Sequence, residues 1–476
     1  MSRISPSRRL ALGVLSTAML MTILDGSIVT VALPAIQRDL GFAPADLSWT
    51  VNAYLIAYGG LLLLAGRLGD LLGRRAVFLA GNVVFTVASL LAGVAGDPAT
   101  LIGARFVQGV GSAMATAVVL GILVTTFTDP GERAKAIGVF GFTGAAGASL
   151  GAVLGGVLTD ALGWHYIFLI NIPIGVVTVA LAVRALPAER GPGLSGGADA
   201  LGALLVTAGL MLGIYGVVQI ERYGAGVLWF GVASVVSLAA FLVRQATTRT
   251  PLMPLRVLRS RAVAGANLVQ VLALGAMFAF QVVVALFMQQ VLRYDALGTG
   301  LAMLPAAVSI AVVSLFVYPR LTMRFGARGV LLAGLALLIG AMGWLARVPV
   351  DARYVTDLLP VMVLIMGGGL VLPALTTLGM SGARADDAGL VSGLFNTTQQ
   401  IGMATGVAVL STLAASRTEG LLADGASGAV ALAGGYRLAF TVSFVLLVAA
   451  FAAGLLVLRR SRAGVGHEVE LQPERT

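Results

Sequence analysis

The chain has 476 residues, 58% hydrophobic and 11% charged, with a mean hydropathy of +0.97; soluble domains carry about 25% charged residues, so a soluble globular class is excluded. It has no cysteine and two histidines, His165 and His467, which excludes disulfide frameworks, thiol chemistry and a histidine metal cluster. The net charge of +10 is dispersed between apolar runs, the pattern of topology signals and not of a nucleic-acid-binding stripe.

Apolar runs of about 18 residues or more recur along the whole chain, each long enough to cross a ~30 Å hydrocarbon core. Backbone in lipid must satisfy its own hydrogen bonds, so these runs predict helices, and the alternation of a membrane barrel is absent. The first run follows Arg8 and Arg9 and has the outline of a signal peptide. It continues past Asp25 to Leu33 without a small-residue cleavage site, so it is read as a first span kept in the mature protein. Spans are predicted at roughly 10–34, 48–66, 76–95, 101–126, 136–157 and 165–185. A Pro/Gly/Ser-rich linker (Pro187 to Asp199) separates these from spans at roughly 201–220 and 226–243. Six more follow at roughly 262–290, 299–319, 329–346, 358–379, 389–415 and 436–458.

With the N-terminus inside, the large majority of the 31 Lys and Arg residues fall in cytoplasmic segments and one, Arg105, falls within a span. The positive-inside rule therefore predicts an all-α membrane protein of fourteen transmembrane helices with both termini cytoplasmic. An internal repeat accompanies the count. The segment after span 2, Arg67-Leu68-Gly69-Asp70-Leu71-Leu72-Gly73-Arg74-Arg75, matches Arg320-Leu321-Thr322-Met323-Arg324-Phe325-Gly326-Ala327-Arg328 after span 10, with Met323 in place of the acid. The predicted organisation is a six-helix half over 1–186, a linker with two inserted helices and a loop over 187–260, a second six-helix half over 261–460, and a cytoplasmic tail over 461–476. Transporters built from repeats hold substrate near the midplane between the halves.

Asp25 is the most informative residue. A carboxylate inside an apolar span costs several kcal/mol unless paired, hydrated or protonated, so it marks either a functional site or a kink or cap near Pro34. Arg105 enters span 4 from the outer side, and at 1.5 Å rise per residue both charges lie roughly 8–12 Å deep, within mutual reach. Pairing favours the charged carboxylate and separation favours the protonated one, so the pair is either a proton carrier or a static ion pair. Gly66, Arg67, Asp70, Gly73, Arg74 and Arg75 form a predicted two-glycine turn that either latches helix ends or only fixes topology. Gly147, Gly151, Gly155 and Gly156 make a small-residue stripe on span 5, for close packing or for setting transport direction. The intramembrane amides Asn52, Gln108, Asn267, Gln270, Gln281, Asn396, Gln399 and Gln400 either line a substrate cavity or bond between helices.

These motifs carry a family resemblance over essentially the whole chain. Asp25-Gly26-Ser27-Ile28-Val29-Thr30-Val31-Ala32-Leu33-Pro34 resembles the first-helix motif of fourteen-span drug:proton antiporters of the major facilitator superfamily. Gly66 to Arg75 resembles that superfamily's loop 2–3 signature, Leu101 to Met114 its span 4 motif, and Gly147 to Gly156 its span 5 antiporter motif. The resemblance implies proton coupling at Asp25 and Arg105, a conformational latch at Asp70, and a span 5 hinge associated with export. One departure is Ala152, where the family motif has proline. Another is that span 13 offers Asn396, Gln399 and Gln400 but no acid, which points to neutral, anionic or weakly cationic lipophilic substrates.

The expected function is a proton-coupled exporter of lipophilic small molecules in a bacterial inner membrane, acting as a monomer without cofactor, metal or nucleic acid. The alternatives are an exporter or importer of one defined metabolite on the same scaffold, or a non-transporting membrane sensor. The chain shows no phosphate-binding loop for ATP and too few polar groups for an enzyme. The richness in Ala, Gly and Arg suggests a GC-rich bacterial genome.

Overall fold

The computed structural model describes residues 6–457 apart from 43–46, 48, 189–190, 194–198, 219–223, 249–250, 295, 382 and 384–386, and omits the side chains of a few helical residues, Ala152 among them. The predicted tail over 461–476 and most of the linker over 187–199 lie outside the described residues. No strand occurs among the described residues. The main helices are α1 (Pro6–Leu40), α2 (Trp49–Leu72), α3 (Arg74–Gly93), α4 (Pro98–Thr126), α5 (Pro130–Leu162), α6 (Asn171–Ala185), α7 (Ala200–Val218) and α8 (Leu228–Thr247). They continue as α9 (Arg261–Leu286), α10 (Ala296–Val312), α11 (Tyr318–Leu345), α12 (Gly368–Ser381), α13 (Ala388–Ala423) and α14 (Gly428–Leu456).

Where described, every predicted span lies mainly on helix, with a few residues such as 94–95, 346 and 457 outside it. Ten helices are long and apolar enough to cross a membrane among the described residues, and Val153–Leu162 and Ala200–Gly216 are shorter apolar helices. The outward surface agrees with a lipid setting, because large apolar side chains such as Trp229 (78% exposed) and Val153 (64% exposed) face away from the bundle. Start signals are local. Asp97 caps α4 by accepting from the Thr100 N–H at 2.9 Å, with Pro98 in the first turn. Asp129 caps α5 in the same way through the Glu132 N–H at 2.8 Å, followed by Pro130.

Two predicted loops are corrected. Residues 67–72, expected in a turn, continue α2 as helix, and the chain breaks only at Gly73, whose φ of 100° suits glycine alone. Gly69 is helical because it has a packing role: a Cβ there would strike Val118 on α4. Likewise 320–325 continues helix, and the expected break falls at Gly326. A five-residue π-turn (Val313–Val317) continues α10 into α11, and at Gly326, with φ 73° and ψ 159°, the helix is broken, so the stretches before and after it are two helices.

Packing joins neighbours in sequence and helices far apart in it. α1 lies on α5 and α6, α4 on α2 and α3, and α9 on α13 and α14, with α11 on α12 and α14. α7 and α8 pack on each other, and α7 also lies on α2. The two sets meet where α13 crosses α2 and α4, and where α5 meets α10, α11 and α12.

Candidate functional site

Glycines bring the chemistry together. Added Cβ atoms on Gly151 and Gly155 of α5 would lie 2.8 and 2.9 Å from the carbonyl oxygens of Leu24 and Ile28, so the α1 and α5 backbones nearly touch. Gly147 meets Ile23 one turn earlier, at 3.1 Å. Gly156 faces open space, so it is not part of this contact, contrary to the expected four-glycine stripe. Its spacing explains the difference, since residue 156 lies one position, or about 100°, off the 147–151–155 face. On α4, a Cβ on Gly109 would lie 2.5 Å from the Tyr54 carbonyl oxygen, and one on Gly111 would lie 2.5 Å from the Phe85 nitrogen. Those approaches draw α2 and α3 against Arg105 and Gln108 and leave no room for bulk solvent.

Asp25 and Arg105 are both fully buried and pair directly, with Arg105 Nη1 donating to Asp25 Oδ2 at 2.5 Å. Five further groups complete the cluster. Gln108 Nε2 and Asn171 Nδ2 each donate to Asp25 Oδ1 at 3.2 Å. Gln108 Oε1 accepts from Arg105 Nη1 at 2.8 Å, and its amide also donates to Ser89 Oγ at 2.7 Å. Arg105 Nε donates to the Thr50 carbonyl at 2.9 Å, and its guanidinium lies 4.5 Å from the Tyr54 ring centroid. One carboxylate from α1 is thus held by donors from α4 and α6, and the balancing cation is itself held by α2. A buried ion pair is tolerable only when its remaining donors and acceptors are satisfied this way.

Gln108, expected at a cavity wall, belongs to this cluster. Asn171, fully buried at the start of α6, was not among the expected residues. The same signal that singled out other intramembrane amides was present in it, an amide within the apolar run Ile170-Asn171-Ile172-Pro173.

The second site lies where α2 ends. Asp70 accepts from Arg74 Nε and Nη2 at 3.1 and 3.0 Å, and from the Gly389 and Leu390 N–H groups at 2.8 and 2.7 Å. It therefore caps the N-terminus of α13, a helix over three hundred residues away in the chain. Gly66 permits the approach, since a Cβ there would collide with the Gly389 carbonyl oxygen. Arg75 instead donates to the Val183 carbonyl at 2.5 Å on α6. Arg67 buries its Nε without a hydrogen-bond partner. Of the expected latch residues, Asp70 and Gly66 meet α13, Arg74 pairs with Asp70, and Gly73 supplies the bend.

The other amides divide. Asn267 accepts from Thr398 Oγ1 at 2.5 Å and Gln270 donates to the Phe395 carbonyl at 2.6 Å, so both clasp α9 to α13. Asn396 donates to the Ser392 and Thr116 carbonyls at 3.0 and 3.5 Å, the second on α4. Asn52, Gln399 and Gln400 are half-buried. Gln281 is exposed.

Comparison with known proteins follows from this geometry. Residues 15–407 match the family model described as Major Facilitator Superfamily. The chain is 40% identical to the cephamycin export protein CmcT of Amycolatopsis lactamdurans, over 88% of this chain and 87% of that one. It is 36% identical to the puromycin resistance protein pur8 of Streptomyces alboniger, over 99% of this chain and 95% of that one. Its fold is similar to that of the human organic anion transporter MFSD10 (TETRAN), with a TM-score of 0.67 over 93% of this chain and 100% of that one, at 17% identity. The chain belongs to the Major Facilitator Superfamily.

Proposed function

We propose that this protein is a proton-driven exporter of lipophilic small molecules, antibiotics or related metabolites, in a bacterial inner membrane. The reading has fourteen spans with both ends cytoplasmic: α1–α6 as one half, α9–α14 as the other, and α7–α8 inserted between. Antibiotic export and resistance in the names of the 40% and 36% identical relatives support the substrate class and direction.

The observation that carries the coupling is the Asp25–Arg105 pair, fully buried and closed by Gln108 and Asn171. In the present state the carboxylate is paired with Arg105. A shift of α1 against α4 within the first half, accompanying the rocking of the two halves, weakens that pairing, and a desolvated carboxylate parted from its cation favours the protonated form. Re-forming the pair expels the proton on the other side. The Asp70 contact with α13 ties the halves at the inner end, so it holds the outward-open state, and releasing it lets the inner end open. No covalent step is involved, and one chain suffices.

The test is substrate-linked proton movement in everted vesicles, with antibiotics as probes. Wild type releases protons on substrate addition and Asp25→Asn does not. Equal proton movement in the variant rejects the coupling assignment.

A further inference from the structure

Four helices start in the same way. Asp97, Asp129 and Asp199 each turn the carboxylate back on the N–H three residues ahead, at 2.9, 2.8 and 2.9 Å, and Ser260 does so with Val263. Asp387 stands at the same position before α13 and makes no such bond. An N-cap side chain bonds the N–H groups of the second and third helical residues, which here are Gly389 and Leu390. Those two are the groups that Asp70 occupies from α2. Asp387 is turned away, and its Oδ2 accepts from Arg256 Nη2 at 2.8 Å. Its backbone, at φ −111° and ψ 4°, lies outside the extended conformation that Asp97 (ψ 158°), Asp129 (ψ 129°) and Ser260 (ψ 114°) adopt as caps.

We propose that Asp387 and Asp70 are rival caps for one helix end, and that Arg256 decides between them by holding Asp387 off. The inference rests on the reading of Asp70 as the latch and adds its control. Without Arg256, rotation of Asp387 into the extended range brings its carboxylate to the Gly389 and Leu390 amides. Two carboxylates do not share one pair of donors without like-charge repulsion, and the local carboxylate holds the entropic advantage over one that must arrive from another helix. Asp70 then loses its partners on α13 and the inner end opens.

The route by which Arg256 is held in place gives the inserted helices a part. Arg256 opens a short helical turn (Arg256–Arg259) after α8. Just before it, the Met253 N–H donates to Gln245 Oε1 at 2.9 Å, and Gln245 Nε2 donates to Asp199 Oδ2 at 2.8 Å. The base of the α7–α8 pair therefore positions the segment that carries the arginine. Arg256 and Asp387 are positioning residues, acting on the gate through Asp70.

The absence of native cysteine allows a direct test in the full chain. Spin labels at Ala76→Cys and Ser381→Cys, both exposed at the inner end, report the separation of the halves in liposomes by pulsed electron resonance. Wild type is expected to populate the short separation, and Asp70→Asn the long one. Arg256→Gln should move the population to the long separation, and Arg256→Lys should restore the short one. The discriminating variant is Arg256→Gln with Asp387→Ala: alanine cannot cap, so the short separation should return although the ion pair is gone. Asp387→Ala alone should stay short for the same reason. If Arg256→Gln stays short while Asp70→Asn is long, the rival-cap inference is overturned and the latch stands. If the double variant is as open as Arg256→Gln, the ion pair acts as a simple brace, which also overturns it. An unchanged Asp70→Asn removes the latch reading, and the inference with it.

Discussion

Gly73 and Gly326 occupy the same position in the two repeated segments, and both hold positive φ, at 100° and 73°. With ψ of 128° and 159° they lie in a region that side chains rarely adopt, at a cost of about 1–3 kcal/mol for a non-glycine residue. The repeat therefore preserves a bend as well as letters: each glycine turns the chain sharply between two spans. The two bends differ in what they carry, because Asp70 and Arg74 flank the first and Met323 and Ala327 the second. Gly73→Ala and Gly326→Ala should each lower the melting temperature of the purified protein by a few degrees. Only Gly73→Ala should also change the spin-label separation at the inner end. Equal gating effects from both would show that the bend, not the Asp70 contact, is the operative feature.

Removing one partner of a fully buried ion pair leaves an uncompensated charge, at a cost of about 3–5 kcal/mol. Asp25→Asn should therefore destabilise the protein more than Arg105→Gln, because it leaves a buried guanidinium that cannot lose its charge and sets an amide N–H2 against the Gln108 and Asn171 donors. The double variant Asp25→Asn with Arg105→Gln should recover much of the loss, since no buried charge remains. Thermal unfolding of the four proteins in detergent forms the cycle. Additive losses would mean that the two residues do not share an interaction energy.

The long apolar runs made the helices legible, because hydrophobic length is a one-dimensional property. Asp25 and Arg105 were legible for the same reason: a charge in such a run stands out, and its depth is set by residue count. Their pairing across eighty residues followed from matched depths. The partners were harder. Asn171 carries the same signal as Asn52 or Gln281, yet one closes the ion-pair cluster, one is half-buried and one is exposed. Which side of an all-apolar helix faces the bundle depends on packing that periodicity does not encode. Arg75 was grouped with Arg74 by adjacency, but successive helical residues point about 100° apart, so one meets Asp70 and the other α6. The rival position of Asp387 was invisible in sequence, because a normal Asp cap and a diverted one read alike.

The glycine face of α5 makes a graded prediction. Gly151→Val forces a side chain into the space of Ser27 Cβ and the Leu24 carbonyl, which lie 2.7 and 2.8 Å from even a bare Cβ. It should push α1 off α5, displace Asp25 from Arg105, and abolish proton movement and transport together. Gly156→Ala, one residue off that face with open space around it, should leave transport within about twofold, and helix propensity should stabilise it by about 0.4–1 kcal/mol. Vesicle transport with both variants checks this. A strong loss in Gly156→Ala would mean that glycine flexibility, and not close approach, is what α5 contributes.

The clamp at the base of the inserted pair should respond to acid in one direction only. Burial pushes the Asp199 carboxyl up, but Arg244, the Gly202 N–H and the Gln245 amide outweigh it and hold it below its ordinary value. A carboxyl whose folded value is depressed contributes stability that is complete above its unfolded value, about 3.9, and is lost as pH falls through the folded one. Amide exchange at Gly202 and Met253 should thus show constant protection from pH 8 to about 5 once corrected for intrinsic rates, and weaken only below about pH 4. Asp199→Asn removes the charge that attracts Arg244, so its protection should be lower at neutral pH and should no longer depend on acid. Because Gln245 links this clamp to the segment bearing Arg256, the same variant should partly open the inner end. A fully protected clamp in Asp199→Asn, with the inner end closed, would show that hydrogen bonding alone holds the base of the pair and that its charge is dispensable.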